Sequence, residues 1–156
     1  MEAIRKRVAE LAEVEDIMSL TSPATDIGTR NAMAQITTDL SQLLPPERVG
    51  IIEIALTEIF NNIVEHAYAD MPDGEIRLRA FLQDSILRFE ICDDGMPLPG
   101  LELPAGREQD LSVSRENLPE GGFGWMLIRT AARDLHYDRN DGTSCLQVTF
   151  DLAETG

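Results

Sequence analysis

The sequence predicts an α+β fold: a two-layer α/β sandwich with helices on one face of a mostly antiparallel sheet. One observation is that apolar residues recur at helical spacing before residue 70 and again after residue 124. A second is that two segments between them alternate apolar and polar residues, which indicates a sheet with one buried and one wetter face. The chain has 156 residues, about the size of one domain. We therefore expect residues 1–156 to form a single domain.

Helical periodicity dominates the first part of the chain. Residues 1–15 carry apolar positions three or four apart, which predicts an extra N-terminal helix. Residues 17–20 predict a short edge strand, and helical spacing resumes after Asp26 until a proline pair stops it. The strongest helix is predicted over residues 46–69, because proline at its first position suits the opening turn.

Strand signals follow this helix. Residues 76–82 and 87–92 each alternate, and the turn residues Asp84-Ser85 join them into a meander. Helical spacing then returns from Trp125 to Leu135, and a last strand is predicted over residues 146–152. The pattern thus places helices before the sheet and one helix near its end.

The segment over residues 93–121 has no periodicity and contains four prolines. A loop longer than about 12–15 residues inside a compact domain is usually functional or disordered. We therefore expect this loop to take part in the function.

The charge balance excludes several classes of function. The chain has 13 Lys and Arg against 28 Asp and Glu, a formal charge of −15. Such a chain lacks the electrostatic footprint for nucleic acid or anionic lipid, so we expect no direct nucleic-acid binding. It contains no stretch of about 18 apolar residues and no secretory leader pattern. We therefore expect no membrane association and a cytoplasmic location.

The two cysteines, Cys92 and Cys145, are too few for a disulfide framework. Both fall in apolar, strand-like runs, where a free cysteine most often acts as a small buried hydrophobic residue. We expect that role for both.

Glu58 and Asn62 are spaced four residues apart on the long predicted helix, so their side chains lie on one face. This face borders the apolar stripe, where a polar group can reach a cleft beside the core. His66 continues the face. The alternative interpretation is a solvated helix flank, with His66 packing or capping.

Two glycine-containing motifs stand at element ends. Asp93-Asp94-Gly95 closes a strand: an ionised Asp suits an amine donor, and glycine allows a ligand to approach closely. The alternative is an ordinary turn.

Three glycines in residues 121–124 precede a helix, where free N–H groups and the helix dipole favour phosphate. The alternative there is a hinge or close packing.

The order of these motifs resembles the Bergerat-fold (GHKL) ATPases, specifically the bacterial anti-sigma-factor serine kinases. The stretch from Glu58 to Tyr68 is similar to the N box of that family. Residues 93–95 are similar to its G1 box, and residues 121–128 to its G2 box. The resemblance covers roughly residues 17–152.

The resemblance implies roles for individual residues. Glu58 matches the general base, and Asn62 matches the ligand of Mg²⁺. Asp93 matches the acceptor of the adenine amine with Gly95 beside the base, and Thr143 matches a hydroxyl that supports adenine. The glycines that match the hinge of an ATP lid over residues 96–120 are Gly121, Gly122 and Gly124.

Two departures from the family pattern stand out. Pro97 occupies the position where the broader superfamily often has a second glycine, and Arg107 and Arg115 are the only cations of the lid.

The resemblance implies an ATP- and Mg²⁺-dependent serine/threonine protein kinase. In that family the kinase also holds a sigma factor inactive, and a STAS-domain antagonist, the anti-anti-sigma factor, competes for it. The family also suggests a homodimer. The alternative is a nucleotide-gated binding module that sequesters a partner without phosphotransfer. A detached histidine-kinase catalytic domain is disfavoured, because the chain has no dimerisation helix pair with a phosphoacceptor histidine.

Overall fold

The computed structural model describes residues 14–69, 71, 73–104 and 122–153, without the side chains of residues 122 and 123. Its elements confirm the predicted α+β sandwich. In chain order they are β1 (Glu15–Pro23), α1 (Asp26–Ser41), α2 (Pro46–Asn62), a π-helical turn (Ile63–Ala67), β2 (Glu75–Gln83), β3 (Ile86–Asp93), a short 3₁₀ turn (Pro99–Leu101), α3 (Gly122–Ala131), β4 (Asp134–Asn140) and β5 (Thr143–Asp151).

The five strands form one sheet in the order β1-β2-β3-β5-β4, and every neighbouring pair is antiparallel. The predicted strand at residues 17–20 lies within β1, at one edge of the sheet. One face of the sheet is buried against the helices, and residues such as Phe89, Ile91 and Val148 are almost fully enclosed there. This burial holds the end of β3 beside the end of α2.

The helix starts follow from the local sequence. The side-chain oxygen of Thr25 accepts a hydrogen bond from the Gly28 N–H at 2.9 Å and so caps α1. Pro46 stands in the first turn of α2, where its missing N–H costs nothing. Within the described residues, no helix combines the length and the apolar character needed to cross a membrane.

The prediction of one helix over residues 46–69 was wrong at its end. The α-helix stops at Asn62 and continues as a π turn, in which the Tyr68 N–H donates to the carbonyl of Ile63 at 3.2 Å. Tertiary contacts of Ala67 and Tyr68 favour this wider turn, and a single periodic pattern contains no sign of such contacts.

A second correction concerns Leu135, which was predicted in the last helix. The helix ends at Ala131, and Leu135 lies in the edge strand β4. This strand alternates between half-buried and exposed residues and has no fully buried position, so its apolar signal is weak. The predicted N-terminal helix over 1–15 lies outside the described residues except at its last two positions.

The third correction concerns the cysteines, which are not free: Cys92 and Cys145 form a disulfide. They are directly opposed partners in the β3–β5 ladder, with Cα atoms 4.1 Å apart. They stand 53 positions apart in the sequence, so only the strand register could reveal the pairing.

Candidate functional site

A cleft of about 590 Å³ opens where the ends of α2, β3 and β5 meet. This volume includes the open space at the mouth of the cleft. Asn62 and Asp93, predicted from separate motifs, both line the cleft. The complete lining is Ile59, Asn62, Ile63, His66, Ala67, Ile91, Asp93, Met96, Pro97, Leu98, Pro99, Trp125, Tyr137, Ser144 and Leu146.

Asp93 is the buried anion of the cleft. It is the last residue of β3, and 5% of its surface is exposed. Its Oδ1 accepts a hydrogen bond from the Gly95 N–H at 3.0 Å. Burial raises the pKa of this carboxyl above its ordinary value, while the Gly95 N–H and the charge of Arg139 act in the opposite direction. The carboxylate is thus a desolvated acceptor, suited to a ligand that brings an N–H donor.

Asp94, the next residue, faces the other way and is structural. Its exposed carboxylate accepts hydrogen bonds from Arg77 at 2.9 and 3.1 Å. This pairing, with a further bond from Thr143, lowers the pKa of the Asp94 carboxyl. Two adjacent carboxyls therefore have opposite environments and opposite pKa shifts.

The π turn positions the loop that follows Asp93. The Tyr68 hydroxyl donates to the carbonyl of Glu75 at 2.9 Å and accepts from the Asp94 N–H at 2.8 Å. The carbonyl of Ala67 accepts from the Met96 N–H at 2.8 Å. The backbone of Gly95 packs so closely that a Cβ there would lie 2.5 Å from that same carbonyl oxygen. Glycine is required at this position because of the close packing.

Asn62 and Glu58 lie one turn apart on α2, as predicted. In the described part of the chain, the side-chain nitrogen of Asn62 is buried without a hydrogen-bond partner. Such an orphaned group costs free energy unless a ligand satisfies it. Glu58 is half-buried outside the cleft lining, and its Oε2 would lie 2.7 Å from a Cβ on Gly124. The carboxylate therefore stands against the first turn of α3.

The predicted glycines lie only partly within the described residues. Gly122 begins α3 and Gly124 faces Glu58, whereas Gly121 and most of the predicted lid lie outside the described residues. Residues 96–99 border the cleft. The predicted role of these glycines toward phosphate stays a prediction.

Thr143 does not line the cleft. Its hydroxyl donates to Asp94 Oδ1 at 2.7 Å, while the next residue, Ser144, is buried in the cleft and pairs with Asp93 across the strands. The proposed role of Thr143 at adenine stays a prediction, and Ser144 is the hydroxyl that the structure places beside Asp93.

Sequence reasoning missed two residues of β4 that organise the cleft. The Tyr137 hydroxyl is 2.9 Å from Ser144 Oγ and accepts from the Leu98 N–H at 3.1 Å. Arg139 donates to the carbonyl of Gly95 at 2.7 Å and to Ser144 Oγ at 2.8 Å. The two side chains lie two residues apart on one face of β4, and recognising β4 would have revealed them.

The described residues fit an adenine nucleotide with Mg²⁺. The apolar lining suits a planar base, Asp93 can accept from an exocyclic amine, and the unpaired side-chain nitrogen of Asn62 can donate to an acceptor atom of the nucleotide. Mg²⁺ usually keeps several waters and binds one or two protein oxygens together with the phosphates of its nucleotide. The amide oxygen of Asn62 would be the ligand that α2 supplies.

The sequence matches the profile of a known family. The family is described as the histidine kinase-like ATPase domain, and the match covers residues 23–150.

Individual proteins are also similar. Proteins named serine-protein kinase RsbW from Bacillus thuringiensis and Bacillus cereus are each 28% identical over 151 residues, which is 96% of this chain and 85% of theirs. A crystal structure of the RsbU and RsbW domains of a Mycobacterium tuberculosis protein has a TM-score of 0.62 and 20% sequence identity. That match covers 88% of this chain and 33% of the other, so it supports the fold alone.

Proposed function

This chain belongs to the histidine kinase-like ATPase domain family, and from that premise we propose that it is an ATP-dependent serine/threonine protein kinase and anti-sigma regulatory factor. It acts in a partner-switching system, where it phosphorylates a STAS-type antagonist protein. The observation that carries the proposal is that the buried carboxylate of Asp93 and the unsatisfied buried amide of Asn62 line one cleft. The names of the Bacillus relatives support the kinase activity.

The nucleotide is held by groups from both layers of the fold. Asp93 accepts from the adenine amine, and Gly95, whose N–H binds the same carboxylate, lets the turn after Asp93 pack against Ala67. Asn62 would hold Mg²⁺ through its amide oxygen, and the ion would offset the charge of the phosphates when bound. The first turn of α3, with Gly122 and Gly124, offers N–H groups and a positive dipole end to the phosphates.

Glu58 is the general base of the proposed reaction. Phosphoryl transfer asks a protein mainly for positioning, charge stabilisation and a group that orients the nucleophile. The Glu58 carboxylate stands beside Gly124 at the start of α3, the end of the site where the phosphates are expected. There Glu58 accepts the proton of the substrate hydroxyl while that oxygen attacks the γ-phosphorus, whose bond to the β-phosphate oxygen breaks and releases ADP.

Glu58→Gln tests this role, since the amide keeps the size of the side chain and cannot accept a proton. We expect phosphorylation of the antagonist to fall by about 10²-fold or more, the usual contribution of a positioned base. ATP affinity should stay within a few-fold, and binding of the sigma-factor partner should survive. Glu53→Gln is the matched control, because Glu53 is exposed on the same helix. A wild-type rate in Glu58→Gln removes Glu58 as the base.

The same experiment addresses the second candidate, a nucleotide-gated binding module. Glu58 lies outside the cleft lining that contains Asn62 and Asp93. The residues that would bind the nucleotide are therefore separate from the residue proposed as the base. If the wild-type protein binds ATP and its antagonist yet transfers no phosphate, the binding-module function replaces the kinase.

The lid and the assembly remain proposals from the sequence. We propose that residues 96–120 form an ATP lid, and hydrogen exchange in this segment should slow when ATP and Mg²⁺ are added. Equal exchange with and without nucleotide would argue against a lid.

We also propose a homodimer, which light scattering of the purified chain tests directly.

A further inference from the structure

The Cys92–Cys145 disulfide joins two central strands at the rung next to the cleft. Its partners are directly opposed in the β3–β5 ladder, and the following pair in the same ladder is Asp93 and Ser144. Side chains alternate along a strand, so the sulfurs lie on the open face of the sheet while Asp93 and Ser144 face the cleft. A change at the cysteines therefore acts on the backbone that carries the cleft's polar groups.

The two cysteines differ in exposure. Cys92 has 9% of its surface exposed, while Cys145 is partly open to solvent. Glu90 and Asp138 flank the pair, the first with an oxygen 3.8 Å from the Cys92 sulfur and the second directly opposite Cys145 on β4. Arg77 stands directly opposite Cys92 on β2 and is paired with Asp94, so the charges around the disulfide are mixed. The more exposed Cys145 is the sulfur that a small reagent reaches first.

We propose that Cys92 and Cys145 form a reversible thiol–disulfide site that controls the nucleotide cleft from the opposite face of the sheet. The oxidant is a low-molecular-weight disulfide, R–S–S–R. The Cys145 thiolate attacks one of its sulfurs, which forms a mixed disulfide and releases R–S⁻. The Cys92 thiolate then attacks the Cys145 sulfur, closes the Cys92–Cys145 bond and releases the second R–S⁻. Two electrons pass from the protein to the reagent, and the two protons of the thiols end on two R–SH molecules.

Reduction changes the geometry of this rung. A disulfide holds its sulfurs about 2.05 Å apart, and two unbonded thiols need a full van der Waals separation. The two cysteine side chains must rotate or the strands must separate locally when the bond opens. Local separation of the strands is the change that reaches Asp93 and Ser144, because they are the next residues on the same two strands. The effect on ATP rests on the function proposed above, and the thiol chemistry does not.

The chemistry is tested with hydroxyethyl disulfide, a neutral probe, on the reduced full chain. We expect the wild type to lose both free thiols and two hydrogen atoms in mass, and dithiothreitol to restore them. Cys92→Ser should trap a mixed disulfide on Cys145, whereas Cys145→Ser should react more slowly because its remaining thiol is buried. Two stable mixed disulfides on the wild type, or two unreacted thiols, overturn the proposal.

The coupling is tested by ATP titration of the oxidised and reduced chain with Mg²⁺ present. We expect the oxidised form to bind ATP about fivefold or more tightly, the lower end of ordinary coupling between two sites. The double variant Cys92→Ser/Cys145→Ser should show one affinity under both conditions. If the oxidised and reduced wild type bind ATP with equal affinity, the disulfide does not control the cleft and that part of the proposal is wrong. If no form binds ATP, the proposed function fails, and the thiol measurements still decide whether the redox site exists.

Discussion

The burial that suits the Asp93 carboxylate to ligand binding also reduces the stability of the folded protein. Burial raises the pKa of its carboxyl, so folding disfavours the ionised form of this group relative to the unfolded chain. Asp93→Asn removes this charge and also presents an N–H donor toward the adenine amine. We expect ATP affinity to fall by about 10- to 150-fold, since a hydrogen bond to a charged group is worth ~1.5–3 kcal/mol. Calorimetry with Mg²⁺ measures the change.

Asp94→Asn is the matched control for that substitution. Its carboxylate bonds Arg77 and Thr143 on the outer side of the same turn, and exposed pairs of this kind contribute at most about 1 kcal/mol. We expect its ATP affinity to stay within a few-fold of the wild type. Equal losses in Asp93→Asn and Asp94→Asn would show that the turn as a whole, and not the buried carboxylate, is responsible.

The raised pKa of Asp93 also fixes the sign of a pH dependence. Between the ordinary Asp pKa of about 3.9 and the higher folded value, the native state holds more protons than the unfolded state. The unfolding free energy of the wild type relative to Asp93→Asn should therefore be greatest below that window and fall as pH rises through it. Denaturant titrations of both proteins at several pH values measure this difference. An opposite slope would mean that Arg139 and the Gly95 N–H outweigh the burial of the carboxylate.

At this scale the sequence was informative about residues that occur in compact motifs. Asn62 and Asp93 were predicted from local spacing, and both line the cleft. Tyr137 lines the cleft and Arg139 donates to Ser144, which also lines it. Neither belongs to a motif, and both are placed there by the pairing of β4 with β5. The family resemblance pointed to Thr143, and its neighbour Ser144 lines the cleft, because adjacent residues of a strand face opposite sides of the sheet and only the register shows which side is which.

At the scale of elements, the contact between the π turn and the loop after β3 carries the next prediction. A Cβ on Gly95 would lie 2.5 Å from the Ala67 carbonyl oxygen, so Gly95→Ala must push the turn and the loop apart. We expect the unfolding free energy to fall by ~1–3 kcal/mol, the usual cost of overpacking, together with a loss of ATP affinity. Chemical denaturation measures the first effect and calorimetry the second.

Gly50→Ala is the control for this prediction. Gly50 lies inside α2 with nothing within 4 Å of an added Cβ, and Ala is about 1 kcal/mol better than Gly in a helix interior. The control should gain stability and keep its ATP affinity. If Gly95→Ala also gains stability and keeps its ATP affinity, the close packing of the turn on the loop contributes to neither property.

Elements with strong periodicity were the ones that the sequence predicted well. The meander of β2 and β3 and the start of α2 follow directly from local spacing. The edge strand β4, the π turn and the disulfide were missed for one common reason. Each depends on contacts between residues distant in sequence, and a pattern within one segment cannot contain them.

The whole molecule carries a formal charge of −15, and its proposed ligand is also an anion. Long-range repulsion should slow their encounter at low ionic strength, because the screening length is then about 30 Å at 0.01 M against 8 Å at 0.15 M. We expect the association rate of Mg²⁺-ATP to rise with salt, measured by stopped-flow fluorescence of Trp125, which lines the cleft. Uncharged adenosine is the control, and its rate should not change. A rate for ATP that falls with salt would show that a local positive field at the cleft outweighs the net charge.

The π turn at Ile63–Ala67 has an evolutionary consequence. It adds one residue to a helical turn, which rotates the residues after Ala67 by about 100° relative to an unbroken α-helix. Deleting one residue within the turn would restore the α-helical phase and rotate Tyr68 away from Glu75 and Asp94. No substitution has that effect. The cleft of a descendant lineage could thus be lost through one three-nucleotide deletion, while every side chain that lines it is still encoded.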